Sequence, residues 1–353
     1  MSDSEYADDT GLVFCSREDV VRMAPKVNAH FARWGMEVHE KRPGDKKVKT
    51  LVLFCAATTP EYDDPETFDG ADLSDIVLPN GNVIPVVREA KYLGSMMSTS
   101  CTDEVDVEAR VAAAAKAFGA LSECVFRSIS ISLEAKRAAY VALVVSILLY
   151  GCECWCLTKA LWRKLRTFHH QCVRVMCRIN MWHTETFHIT TVSMLQLMKL
   201  RSIETYVTRR QMQWAGHVAR MPEHRLPRKF LTAWCYSKRP AGRPEFTFAR
   251  GLKEALQYAG VEVGTWMAQA GEGAGAEEEE EEEREGAVTK HKLAWKEMTK
   301  EIQEKAARQK PHPFLLKRAV LKRKDQSSPT PPAPPSPSPP SPSPSPSPPP
   351  APD

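Results

Sequence analysis

The chain has no apolar run long enough to cross a membrane as a helix. Its most apolar stretch, Ala138 to Tyr150, holds 13 residues, where a span needs roughly 20. Lys136 and Arg137 stand directly before it, so a buried core helix is the expectation. The amino end lacks the basic and apolar pattern of a secretory leader. The ten cysteines have no regular spacing, which argues against a disulfide framework. These absences point to an intracellular chain, nuclear or cytoplasmic and not secreted, in a reducing compartment with no membrane partner.

One sign of charge is scarce in places although the total hides it. The formal net charge is only +4. Residues 159–250, however, carry 4 acidic side chains against 18 basic ones, and residues 1–110 carry 21 acidic against 12 basic. A strongly basic stretch is what a phosphate-binding surface needs, because each neutralised phosphate releases counterions. A solvated basic face has the same composition. Apolar residues run out towards the carboxyl end, where Gly271 to Ala276 is small, Glu277 to Glu283 is unbroken acid, and residues 329–353 are nearly all Pro and Ser. Such segments cannot bury enough to offset ordering entropy, so a disordered tail is expected over 259–353, with a short basic helix near 292–308. A Pro-Ser tail could meet a partner that reads extended proline helices, although most such tails are spacers.

What is present reads as helix from Ser16, which can cap with Asp19 three residues on, while Val20, Val27, Phe31 and Trp34 share a face. Gly35 can close that helix, and Pro25 inside it predicts a kink or a shorter helix. Val48 to Ala56 is a candidate strand, and residues 57–90 read as a loop with short strands and a hairpin turn at Asn80-Gly81. Beyond Gly94 the spacing predicts helices near 103–124 and 132–150. A third is capped by Thr158 with Leu161, Leu165, Phe168, Cys172 and Met176 on one face, and others lie near 189–198 and 202–219.

The first chemical motif is Tyr6-Ala7-Asp8-Asp9, followed by an apolar strand. Two adjacent carboxylates repel and raise each other's proton affinity, a cost that a divalent metal removes. In two-metal phosphoryl transfer such carboxylates hold the ions that activate the attacking hydroxyl and the leaving group. Asp pairs are also common in plain turns. Cys152, Cys154 and Cys156, with His169, His170, Cys172 and Cys177 beyond, offer soft zinc ligands, but without a repeated knuckle spacing. The basic stretch supplies Arg163, Lys164, Arg166, Arg174, Arg209, Arg210, Arg220 and Arg243, interleaved with Trp214, Trp234 and Tyr236. Cations with aromatic platforms suit nucleic acid bound by backbone and stacking. Trp214 and His217 are expected to pack as structural residues, the histidine as a packed or capping group.

Taken in order, these motifs resemble one family. Tyr6 to Asp9, the helix ending Phe31 to Val38, Lys46 to Thr50 and Lys91-Tyr92-Leu93-Gly94 are similar to the second half of the reverse-transcriptase palm of non-long-terminal-repeat retrotransposons. Glu104 to Val111, Lys136 to Tyr140 and Leu148 to Trp155 resemble the thumb. Trp214 to Met221 and Gly242-Arg243-Pro244 resemble the segment downstream. The resemblance covers roughly residues 5–255, and although each piece is weak alone, the shared order is not.

The resemblance implies an α+β fold: a truncated palm over 1–100, a mostly α-helical thumb over 101–157, and a basic helical region over 158–258 before the tail. It implies RNA-directed DNA polymerase chemistry on an RNA template and DNA primer, with Asp8 and Asp9 as catalytic carboxylates holding Mg2+. Tyr6 and Ala7 would line the primer end, and Tyr92, Leu93 and Gly94 would form the primer grip. Arg163, Lys164, Arg166, Arg209, Arg210, Arg220 and Arg243 would meet nucleic acid. Lys49 is similar to the palm lysine that faces nucleotide phosphates, and Lys41 and Lys46 compete for that place. The family also needs an upstream palm Asp and fingers, while only five residues precede Tyr6. Asp3, Ser4 and Glu5 replace the apolar side chains of the strand leading into the turn. The metal site is therefore expected to be incomplete and the chain inactive alone unless a partner supplies the rest in trans. The alternative is a non-catalytic nucleic-acid-binding remnant, or a pseudogene product.

Overall fold

The computed structural model describes residues 2–6, 9–14, 16–36, 38–40, 49–53, 74–232, 248–271 and 289–300. Helices dominate, and the strands are short and paired two by two among the described residues. The fold is α-rich, and the expectations for the acidic run, the Pro-Ser tail and Arg243 lie outside the described residues.

Strands β1 (Ser2–Tyr6) and β2 (Asp9–Val13) run antiparallel with Tyr6 opposite Asp9, so the strand forms despite its polar sequence. Helix α1 (Arg17–Ala32) is capped as expected, since the Ser16 hydroxyl accepts the Asp19 amide at 3.1 Å. It runs its full length with Pro25 inside it, where a shorter helix was one expectation. Its Val20 packs with Ile76, Leu78 and Ile84 in a small core, whereas Trp34, expected on the same face, falls past the helix end and is 73% exposed.

Of the candidate strand 48–56, only β3 (Val52–Leu53) is described as a strand, parallel to β6 (Val86–Val87). β4 (Ile76–Val77) and β5 (Val83–Ile84) pair around Asn80-Gly81. Glu40 is buried there and accepts hydrogen bonds from the amides of Asn28, Asn80 and Asn82, which ties α1 to that hairpin.

The helical part opens with β7 (Glu89–Tyr92) and β8 (Ser95–Ser98), then α2 (Glu104–Ala120). A π-helical turn follows at Ser122–Phe126. Helix α3 (Leu133–Ala139), a π-helical segment (Tyr140–Val145) and α4 (Ser146–Leu148) make one continuous run, matching the core helix expected at 132–150. α5 (Lys159–Cys177) starts at Thr158, which accepts the Leu161 amide, and its five stripe residues Leu161, Leu165, Phe168, Cys172 and Met176 are all buried. Then come α6 (Met181–Phe187), α7 (Thr191–Leu197) and α8 (Ile203–Ala219). α9 (Leu226–Thr232), α10 (Phe248–Ala259), α11 (Trp266–Ala270) and α12 (residues 289–300) complete the order.

One apolar core runs from Val107 through Tyr140, Leu165 and Met194 to Val207. It crosses the boundary expected at 157/158, because the apolar stripe of α5 closes against α2, α3, α7 and α8. A second core joins Met212 and Ala215 of α8 to Leu256, Trp266 and Trp295. Packing therefore crosses the expected tail boundary at 258/259 too, since each tryptophan carries more apolar surface than its polar neighbourhood suggests. Trp214, expected to be buried, is only half-buried and lies beside His217.

Candidate functional site

Most of the described candidate residues lie on two hairpins and on helices α5 and α8 or at their ends. Asp9 begins β2 and is exposed; Asp8 lies outside the described residues, as do Lys41 and Lys46. Lys49 is exposed. No three His, Cys, Asp or Glu side chains among the described residues stand close enough to hold a metal ion. A complete magnesium site is not met within them.

The second hairpin is better defined. Tyr92 ends β7, and the turn Leu93-Gly94 is left-handed at both positions, with φ of 47° and 89°, the geometry of a tight two-residue hairpin. It is clamped from the helical side. The Tyr150 hydroxyl donates to the Leu93 carbonyl at 2.8 Å, and the Arg110 guanidinium donates to the Gly94 carbonyl. Arg110 also lies over the Tyr150 ring, 4.3 Å from its centre, a cation–π contact. Gly94 is needed here because a Cβ would stand 3.0 Å from that ring.

Behind the clamp, the buried Asp106 carboxylate accepts the Met96 amide and the Trp155 indole N–H, both at 2.8 Å. Arg110 is 3.6 Å from the same carboxylate. Asp106 and Arg110 are four apart on α2 and so share a face. Both lie inside the thumb-like stretch Glu104 to Val111, where the signal for this role is a carboxylate one helical turn from an arginine. The effect is a hairpin turn of fixed backbone position whose outer side offers the partly exposed Leu93, Met97 and Tyr150.

The cations of the basic stretch divide into two groups. Lys164 pairs with Glu104 at 2.8 Å and with Glu108, and Arg166 with Glu204 at 2.5 Å. Arg210 donates to the Leu149 carbonyl at 2.6 Å and lies 3.8 Å from Glu153. Arg220 donates to the Ala270 carbonyl at 2.8 Å. These four, expected to meet nucleic acid, join helices to one another. Arg163 is exposed on α5, while Arg209 is partly buried with its Nε lacking a hydrogen-bond partner.

The soft-ligand residues do not gather. Cys152 and Cys154 share a single 3-10 turn with the first buried and the second exposed. Burial pushes the Cys152 thiol up to about 12, opposite to the thiolate that zinc takes. His169 is fully buried. Its Nε2–H donates to the Arg201 carbonyl at 2.9 Å and its Nδ1 accepts from the Tyr140 hydroxyl at 2.8 Å. Burial lowers its pKa to about 4, so it is a neutral structural link between α3, α5 and the start of α8.

No family model, curated protein or solved structure matches this chain. The functional reading therefore rests on the residues and their geometry. No helix among the described residues is long and apolar enough to cross a membrane.

Proposed function

We propose that this chain is the carboxy-terminal part of an RNA-directed DNA polymerase of the non-long-terminal-repeat retrotransposon kind, its helical part lying along nucleic acid. The observation that carries this reading is the clamped Leu93-Gly94 turn. A hairpin whose two turn carbonyls are each held by a side chain of the following helical part suits a primer grip, which must keep backbone in one place against a strand end. Support also comes from the order of the motifs, from Tyr6-Ala7-Asp8-Asp9 through the Lys91 to Gly94 turn to Leu148–Trp155, and from the β1–β2 pairing that sets Asp9 opposite Tyr6.

In this reading Asp8 and Asp9 belong to a Mg2+ site that takes a further Asp from another palm strand. The 353 residues by themselves are expected to bind template-primer without extending it. The test is primer extension on an RNA template with Mg2+, using the purified chain, alongside binding of the same template-primer. Binding without extension is the expected result. A product that disappears in Asp8→Ala would overturn the expected inactivity and support the polymerase assignment. Failure to bind would overturn the assignment itself.

The second reading, a non-catalytic nucleic-acid-binding remnant, is favoured by the concentration of positive charge in residues 159–250, away from the Asp pair. It requires binding that weakens steeply with salt and is indifferent to Mg2+ and to Asp8.

A further inference from the structure

Helix α6 is anchored at both ends yet buries nothing of its own. Ile179 before it and Ile189 after it lie in the main core, and the Asn180 side chain caps it by accepting the His183 amide at 3.0 Å. None of its seven residues is buried. Its largest side chain, Trp182, is 60% exposed, and Met181 beside it is 55% exposed. The indole is nonetheless braced. It stands nearly at right angles to the rings of His183 and Phe187, with ring centres 5.2 Å and 5.8 Å apart, and Phe187 packs against the core. A tryptophan is the side chain with most apolar surface to gain from burial, so one held in place towards water invites a ring from outside the fold.

Positive charge leads up to this ring. The Arg174 guanidinium on α5 reaches the Met181 sulfur, with Nη1 at 3.0 Å, and so lies beside the residue next to Trp182. It forms no ion pair among the described residues and its Nε has no hydrogen-bond partner, which leaves most of its five donors for a further acceptor. Arg163, exposed and likewise without an ion pair among the described residues, stands eleven positions earlier on the same helix. Eleven residues make about three turns, so the two arginines share one face about 16 Å apart. Lys164 and Arg166, between them, are instead tied to Glu104, Glu108 and Glu204. From Lys164 to Glu204 the intervening chain holds a single acidic residue, Glu185.

We infer that Trp182 is a base-stacking platform for single-stranded nucleic acid, whose phosphates are held by Arg174 and Arg163 along α5. The inference rests on the reading of this chain as a nucleic-acid binder and narrows it to unpaired strands. Bases inside a duplex already stack on one another, so an exposed indole finds a free face only on a strand whose bases are unpaired. Stacking supplies affinity that every base can satisfy, and the guanidinium groups supply the charge that tracks the backbone. Trp182, rather than the half-buried Trp214 within the basic stretch, therefore provides the ring.

The experiment is a fluorescence-anisotropy titration of the full chain with a labelled single-stranded DNA oligonucleotide over a series of KCl concentrations, repeated with an abasic strand of the same length. The wild type is expected to bind the normal strand with a steep fall of log affinity against log salt. W182A is expected to bind it at least about fivefold more weakly with an unchanged slope, since a lost base stack removes affinity and no phosphate contact. On the abasic strand W182A and wild type are expected to bind equally. W182F should recover most of the loss. R163Q/R174Q is expected to lose roughly 1.4 from the slope, about 0.7 for each single-strand phosphate contact. W34A, which removes another exposed indole, is expected to bind as wild type.

Wild-type affinity in W182A would overturn the platform while leaving nucleic-acid binding intact. A loss in W182A that is equal on the abasic strand, or matched by W34A, would make the effect structural or general and overturn it as well. An unchanged slope in R163Q/R174Q would overturn the phosphate contacts. No salt-dependent binding by the wild type would overturn both this site and the reading it rests on. If the double Gln variant melts early, R163Q alone, at an exposed position, decides the charge contribution through a slope change of about 0.7.

Discussion

The hydroxyl of Tyr150 donates a 2.8 Å hydrogen bond to the carbonyl of Leu93, joining the end of a helical run to the tip of a hairpin that precedes α2. With the Arg110 bond to the Gly94 carbonyl, it holds a turn that strand pairing alone leaves free to twist, because a two-stranded ribbon is marginal by itself. Tyr150→Phe is expected to keep the ring against Arg110 and cost about 1 kcal/mol. Hydrogen exchange should show faster opening of residues 92–96 with little change elsewhere. Unchanged exchange there would mean that Arg110 holds the turn without help.

Gly94→Ala is expected to be worse than Tyr150→Phe. Its backbone stands at φ 89° and the new Cβ would meet the Tyr150 ring at 3.0 Å, so strain and collision act together, at about 1–3 kcal/mol. A melting temperature equal to wild type would show that the turn can shift away from Tyr150.

Asp106 is the acceptor on which the hairpin, α2 and Trp155 converge. Asp106→Ala strands the buried Trp155 indole N–H, the partly buried Met96 amide and the partly buried Arg110, and is expected to lower stability by about 3 kcal/mol or more. Asp106→Asn, which keeps one oxygen acceptor, should cost less. Chemical denaturation followed by tryptophan fluorescence measures both, and a wild-type stability for Asp106→Asn would argue against the carboxylate's charge contributing.

Acid should destabilise the helical core through His169. Its pKa is lowered by burial from 6.5 to about 4, so between those values the unfolded chain binds the extra proton and the folded one does not. Stability is full above 6.5 and is lost as pH falls, by up to about 1.4 kcal/mol per pH unit. Burial also lowers His170 and His217, which adds to the same slope. His169→Gln, with an acceptor for Tyr140 and a donor for the Arg201 carbonyl, should flatten the pH dependence of the melting temperature in this window. An unchanged slope would assign it to the other two histidines.

Trp295 tests whether α12 belongs to the fold. Its indole N–H donates to the Met212 carbonyl at 2.7 Å, and a Cβ on Gly216 would collide with that nitrogen. Trp295→Ala is expected to cost about 3–5 kcal/mol. Alanine is the better helix former by about 1 kcal/mol, so a destabilised Gly216→Ala would show that the indole occupies the space above Gly216. A stabilised Gly216→Ala would remove Trp295 from that contact.

Local patterning determined much of the helical half. The Ser16 and Thr158 caps, the α5 stripe and the Asn80-Gly81 turn were legible because each depends on residues within a few positions of one another. The resemblance to a reverse transcriptase was legible in the same way, as an order of short motifs, and it singled out Tyr92, Leu93 and Gly94 without showing what holds them. Only tertiary structure decided that Asp106, Arg110 and Tyr150 hold that turn, and that Lys164, Arg166, Arg210 and Arg220 brace helices. The physical reason is that a charge count records how many cations a stretch carries, whereas the partner of each cation depends on which distant carboxylate or carbonyl the packed helices bring within hydrogen-bond reach. The same reason put Trp266 and Trp295 in a core where composition suggested a tail, since a single large apolar side chain can dock a segment whose average composition is polar.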